Sequence, residues 1–331
     1  KEAGKYPFFF LFSGFSKLIS IPDKYKKIEE EEKRVILTYL MARTAYRIPI
    51  YIKKKEWMAA YFSLIRLKSS FSNTSLFKKH HIKLKKYFAF VLPHYFEQEG
   101  LKAFYWSDMT EKEDGTISLT YQPTYIRGWR DWKLVRTPFQ PKPKGRFTQK
   151  GMILNGKIQI PFVFQNNLEI TIYFRSLNYR GFGLELFGEG SRESLFMGPD
   201  FAFPQHSPYL EGFPKRSLGI HKTWICRCKI SSTKAKVKVL RKMSLPSLFE
   251  GKEAVMKVKV SLRGIEIKLP GRKRRIFLSR EELGIEFLGK IALWELEKDV
   301  YVQKILIHGK LNKTWRKILM QKIMKLQIER F

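Results

Sequence analysis

Apolar residues recur near the helical period at Tyr25, Ile28, Val35, Tyr39 and Ala42, which predicts a helix. It follows the turn Ile21-Pro22-Asp23, with Asp23 placed to cap it. The acidic run Glu29 to Glu32 inside this helix stands four residues from Lys26, Lys27, Lys33 and Arg34, so it reads as a solvated, ion-paired face rather than a metal cluster. A second helix is predicted over Lys55 to Lys68, with Trp57, Tyr61, Leu64 and Leu67 on one side. A third runs from Leu76 to Phe90 with Lys78, Lys79, Lys83, Lys85 and Lys86 on its polar face, and Pro93 is expected to end it.

Past this point the period shortens. Asp114-Gly115 is a hairpin turn between short apolar runs. From Gly151 onward the pattern becomes that of strands, over Lys157–Phe164, Leu168–Phe174, Gly181–Phe187, Thr223–Ile230, Ala235–Leu240, Ala254–Leu262, Ile265–Leu269, Arg274–Leu278, Ile285–Trp294 and Val300–Ile307. Asn166-Asn167 is expected to turn between the first two, and residues 188–219, rich in Gly and Pro, to form a long loop. The chain then becomes helical again over Lys313 to Arg330, with Trp315, Ile318, Leu319, Ile323 and Leu326 in one stripe. The predicted class is α+β: a helical N-terminal region, then a mostly antiparallel β domain closed by a C-terminal amphipathic helix. The expected divisions are a helical basic region at 1–113, an aromatic, basic and Pro-rich linker at 114–150, and a β-rich domain with its helix at 151–331.

Charge changes this picture most. The 331 residues carry 64 Lys and Arg against 30 Asp and Glu, a formal net charge of +34. The excess is uneven, for residues 215–331 hold 30 basic and 10 acidic residues while 140–214 hold 8 and 6. A globule so charged repels itself unless a polyanion faces it, and the commonest polyanion is nucleic acid. The 15% aromatic content argues for a real core and against a disordered basic tail. Two cysteines, Cys226 and Cys228, are too few for a disulfide framework. The apolar segment Tyr6 to Ser16 falls short of the ~20 residues a membrane span needs and is expected to tuck into a hydrophobic groove.

Three stretches are candidates for phosphate contact. The turn after Pro270-Gly271 carries Arg272, Lys273, Arg274 and Arg275, four adjacent cations that cannot all pair internally. Lys234, Lys236 and Lys238 recur at period two, which in a strand makes one cationic face with Val237 and Val239 turned inward. In the stretch Tyr125 to Arg136, Arg127, Trp129, Arg130 and Trp132 interleave rings that stack on bases with cations that hold phosphate.

The phosphate loop, the dinucleotide fingerprint, HExxH, paired CxxC and GxSxG are all missing from the sequence, so no catalytic residue, cofactor or metal is expected. In its strongly basic texture rich in Phe, Tyr, Lys and Ile, the chain resembles ribosomal proteins encoded in protist mitochondria. That resemblance implies a non-enzymatic, rRNA-binding structural component of an organellar ribosome in the mitochondrial matrix. Its expected partners are RNA and neighbouring proteins, with no small-molecule substrate and no membrane contact. The alternatives are a nucleic-acid-processing enzyme (a nuclease or mobile-element protein) and an accessory subunit of an organellar membrane complex.

Overall fold

The computed structural model describes residues 26–105, 108–122, 131–136, 144–148, 151–176, 183–188, 193–199, 210–211, 222–230, 235–244, 253–270, 273–296 and 300–331. The fold is α+β, and the chain separates into two compact units. One holds the described residues up to Gln98 together with Met324–Phe331; the other is Glu99–Ile323.

The first unit is helical: α1 (Lys26–Lys53), α2 (Trp57–Phe71) and α3 (Ser75–Glu99). Its core is aromatic. Tyr61 of α2 stacks on Tyr95 of α3 at 4.0 Å between centroids, and Trp57 stacks on His94 at 4.2 Å. Phe331 closes the unit, stacked on Phe88 at 4.4 Å and only 5% exposed. Helix α3 runs through Pro93 instead of ending there. The proline is exposed, while Val91, Leu92, Tyr95 and Phe96 around it are buried, and their burial outweighs one lost hydrogen bond. Helix α1 forms where the period predicts, yet Val35 and Tyr39 of the expected apolar face are exposed, and Met41 and Ile48 are buried instead.

The second unit is built on one antiparallel-dominated sheet. Its strands are β1 (Asp108–Glu111), β2 (Thr116–Tyr121), β3 (Lys133–Val135), β4 (Lys144–Thr148), β5 (Gly151–Gln159), β6 (Phe164–Ser176), β7 (Gly183–Gly188) and β8 (Ser194–Pro199). They continue as β9 (Leu210–Glu211), β10 (Lys222–Ile230), β11 (Ala235–Ser244), β12 (Glu253–Ser261), β13 (Gly264–Lys268), β14 (Ile276–Ser279), β15 (Leu288–Leu296) and β16 (Val300–Leu311). A short helix α4 (Arg280–Leu283) follows β14, and α5 (Lys313–Arg330) follows β16. Along the hydrogen-bonded path the order is β14-β13-β12-β6-β16-β5-β15-β7-β8-β10-β11-β9, with β2 pairing on β16 and β3 and β4 on β5. Strands β2, β3 and β4 thus fall inside the stretch 114–150 expected to be a linker, and β8 and β9 inside the expected loop 188–219.

The sheet folds back on itself, since β15 pairs with both β5 and β6. Inward residues of the first half (Ile170, Ile172, Ile305, Ile307, Val258, Ile267) join those of the second (Leu184, Leu186, Leu195, Met197, Ile225, Ile291) in one buried cluster. Asp114-Gly115 makes the predicted β1–β2 hairpin, with Asp114 accepting from Thr116 N–H at 2.9 Å and Gly115 at φ 82°. Asn166-Asn167 does not turn the chain between strands. It lies within β6, where Asn166 adopts φ 52° and its N–H donates to Phe287 O at 2.9 Å. A side chain at Gly289 would meet the Phe187 backbone at 2.4 Å, so only glycine lets β15 approach β7 there.

Asn312 caps α5, accepting from Trp315 N–H at 2.9 Å, and Arg316 pairs with Glu111 at 2.6 Å. Trp315, Leu319 and Met320 pack on the core, whereas Ile318 and Leu326 of the expected stripe are exposed.

Replacing Phe331 with Ala is expected to destabilise the helical unit by about 3 kcal/mol, the cost of emptying an aromatic core site. Chemical unfolding followed by far-UV circular dichroism checks this; an unchanged midpoint would show that the ring carries no packing energy.

Candidate functional site

The two halves of the sheet use their outward faces differently. In the β7, β8, β10 and β15 half the second face is buried as well. Phe196, Cys226, Cys228, Val237, Ala292 and Trp294 form a separate apolar cluster there. Within this face Lys157 pairs with Glu185 at 2.9 Å, and both are almost fully buried. Trp294 Nε1–H donates to the same Glu185 carboxylate at 2.6 Å, and Lys157 Nζ lies 5.3 Å from the Trp294 ring centroid. Gln159 is also buried, and its Nε2 has no hydrogen-bond partner. Burial pushes the Cys226 thiol up to about 12 and raises Cys228 well above its ordinary value, so neither supplies a thiolate near neutral pH.

The other half leaves its outward face open. Alternation in β6 turns Ile170, Ile172 and Phe174 inward and Glu169, Thr171 and Tyr173 outward. The same holds for β16 and β12, with bulges in β16. Register then builds rows of side chains. One crosses β2, β16, β6, β12, β13 and β14 as Ser118, His308, Glu169, Lys259, Glu266 and Phe277. Ser118 Oγ pairs with His308 Nδ1 at 2.8 Å, Lys259 with Glu169 at 2.8 Å, and Arg275 with Glu266 at 2.6 Å. Hydrogen bonding to Glu169 holds the Lys259 ammonium above its ordinary range. The row spans about 24 Å at the usual strand spacing.

The neighbouring row is Thr120, Leu306, Thr171, Lys257 and Lys268. Lys257 and Lys268 stand opposite each other, both exposed, with no ion pair to either among the described residues. Like charges directly across a strand pair repel. An anion lying between them removes that repulsion.

The expected phosphate-binding residues that are described lie on separate elements. Lys273 and Arg274 are exposed beside β14, and Arg275 is tied to Glu266. Lys238 is exposed on β11 with Val237 turned inward, as the period-two pattern implies. Lys236 lies on β11, but its side chain is outside the described part, as are Arg272, Lys234, Arg127, Trp129 and Arg130 altogether. Trp132 is not available for base stacking. It is 5% exposed and packs edge-on to Tyr121 at 5.4 Å in the main core. Reasoning from sequence passed over Glu169, Lys257, Lys259 and His308. The signal that finds Lys257 and Lys259 is the same period-two alternation, present in Glu253 to Ser261.

No protein-family model matches the chain. No curated protein matches it either. Among solved structures it is similar to the exoplasmic/lumenal domain of VIP36 in a Ca2+/Man3GlcNAc-bound form, at 11% identity and TM-score 0.36, covering 61% of this chain and 91% of that one. It is also similar to CG-16, a homodimeric agglutinin from chicken liver, at 11% identity and TM-score 0.29, covering 44% and 95%. A third is lactose- and MES-liganded congerin II, at 6% identity and TM-score 0.30, covering 46% and 97%. These findings correct the expectation of an rRNA-binding ribosomal component with RNA as its partner: the ligands named in these structures include sugars, and none is RNA. Likeness at this level assigns no ligand to this chain.

Two outcomes are expected at the buried face. Glu185→Leu leaves the Lys157 ammonium and the Trp294 N–H without their acceptor and is expected to cost about 3–5 kcal/mol, whereas Lys157→Met combined with Glu185→Leu restores most of the loss; a double-mutant cycle by urea unfolding reads both values. The thiols are raised in the folded state, so their contribution to stability is complete below about pH 9 and declines as pH rises toward 12. A thiol reagent at pH 8 should leave the folded protein unmodified and label both cysteines in denaturant; prompt labelling of the native chain would contradict their burial.

Proposed function

We propose that this chain is a non-catalytic carbohydrate-binding protein whose β unit takes an acidic oligosaccharide along the open face of its sheet. The observation that carries this reading is the cross-strand couple Lys257 and Lys268, without an ion pair among the described residues, beside the row from Ser118 to Phe277. Hydroxyl groups both donate and accept hydrogen bonds. A row that alternates acceptor and donor, Glu169 then Lys259 then Glu266, meets adjacent sugar hydroxyls with a partner of either kind. Phe277, half exposed at the end of the row, and Tyr173 on the same face offer ring surface to the apolar side of a sugar. A sulfate or carboxylate on the sugar fits between Lys257 and Lys268, with Lys273 and Arg274 adding field from the neighbouring turn. The non-catalytic part rests on openness. Ser118 and His308 meet on a surface where water competes for every charge that would develop in a reaction.

Titration calorimetry with sulfated, carboxylated and neutral oligosaccharides of equal length tests the proposal. Acidic sugars are expected to bind and to weaken as salt rises, and Lys257→Gln with Lys268→Gln is expected to weaken them at least tenfold, from about 1.5–3 kcal/mol per charged hydrogen bond. Equal affinity for neutral sugars, or for a polyanion without hydroxyls such as polyphosphate, would overturn it. So would an unchanged affinity in the double variant.

A further inference from the structure

Helix α1 buries one apolar line and leaves another exposed, with Ile36 and Leu37 exposed outside both. Met41 and Ile48, seven residues apart, are 2% and 0% exposed and belong to the core of the helical unit. Val35, Tyr39, Ala42, Tyr46 and Ile50 fall at i, i+4, i+7, i+11 and i+15, which is a single face. That face is open: Val35 is 68% exposed, Tyr39 61%, Tyr46 74% and Ile50 38%. Over the fifteen steps from Val35 to Ile50, at about 1.5 Å each, the stripe is about 22 Å long.

Its borders say what covers it. Arg43 and Arg47 form an exposed column beside the stripe, each one residue on from Ala42 and Tyr46. Lys53, Lys54 and Lys55 follow at the end of the helix, all exposed. Between Glu32 and Glu56 the chain has no acidic residue at all. An occupant must therefore be apolar along a line and negatively charged beside it. A water-soluble protein groove meets the first demand without needing the second. An anionic lipid surface meets both, for acyl chains take the aliphatic side chains and the headgroups take the arginines. Tyrosine, apolar in its ring and polar at its tip, is the residue suited to the level between them, and the stripe contains two. No helix among the described residues is long and apolar enough to cross a membrane. The arrangement is that of a helix lying in the interface.

We infer that α1 docks its Val35–Ile50 face onto an anionic bilayer, in a role independent of sugar binding by the β unit. This departs from the sequence-based expectation that the chain makes no membrane contact. Flotation of the full chain with vesicles of phosphatidylcholine containing phosphatidylglycerol at three parts in ten, against phosphatidylcholine alone, is the test. The protein is expected to float with the anionic vesicles and to leave them as salt rises. Arg43→Gln with Arg47→Gln should weaken binding roughly 25-fold, near fivefold for each charge at the surface. Tyr39→Ser with Tyr46→Ser should weaken binding even at low salt, where the charges alone are strongest. All four positions are exposed, so both variants should keep the parent circular dichroism and melting temperature. Equal binding to both vesicle types, or variants that float like the parent, would overturn the inference. So would a chain that ignores vesicles and self-associates through the stripe.

Discussion

The pairing of β6 with β16 is the constraint on which the β unit depends. These are its two longest strands, thirteen and twelve residues, and they run together from Val300 opposite Ser176 to Leu311 opposite Phe164. Side chains alternate with period two, so this register sorts every residue on both strands between core and solvent. A slip of one residue would drive Glu169 and His308 inward and expose Ile170 and Ile307. Register is transmitted outward from there, to β12 and β13 on one side and to β2 on the other. The open polar face is thus a by-product of burying isoleucines. Its order is as strong as the core behind it.

The second half of the sheet shows the opposite solution. Both of its faces are buried, and a strand buried on both faces leaves polar side chains nowhere to reach water. Glu185 meets that demand by accepting from Lys157 and from Trp294 together. Two charges removed from water cost several kcal/mol each, which good geometry offsets but rarely exceeds. The pair therefore specifies the arrangement of β5, β7 and β15 more than it stabilises it. Gly188 contributes to this, because a side chain there would meet Glu185 Oε1 at 2.7 Å. Uncharged Cys226 and Cys228 fill the space beyond as small apolar groups.

What could be read from sequence follows from which forces are local. The helices over 57–71 and 313–330 and the strands from β10 to β16 were legible because periodicity reports burial on one side directly. Pro93 was misleading because its local cost is set against the burial of Val91, Leu92, Tyr95 and Phe96, which no window of sequence measures. Asn166-Asn167 has turn chemistry, and the left-handed φ at Asn166 expresses it, but cross-strand bonding to Phe287 absorbs it as an irregularity within β6. Trp132 looks like a stacking residue beside Arg130 and Lys133. Its burial comes from β3 pairing on β5, a contact set by strand order. The open face was illegible for the same reason. Lys257 meets Lys268 a short hairpin away, but Ser118 meets His308 across 190 positions of chain.

The charge excess ties these details together. Thirty acidic residues cannot neutralise sixty-four basic ones, and several of the acids are already committed. Glu185 holds Lys157, Glu111 holds Arg316, Glu169 holds Lys259, Glu266 holds Arg275, Glu193 holds Arg227 and Glu282 holds Arg241. Most of these pairs are at least partly exposed, where water and salt screen the attraction, so they fix geometry more than they relieve the net repulsion. What remains includes exposed cations with no ion pair among the described residues, and their surroundings differ. In the β unit Lys257, Lys268, Lys273 and Arg274 border a hydrogen-bonding face. In the helical unit Arg43 and Arg47 border an apolar one, while Lys78, Lys79, Lys83 and Lys86 are exposed on α3. Charge alone asks only for an anion; the surface beside the charge decides which kind. In the proposed roles, hydroxyl-matching groups beside lysines select a charged sugar, and aliphatic and tyrosyl groups beside arginines select a charged lipid.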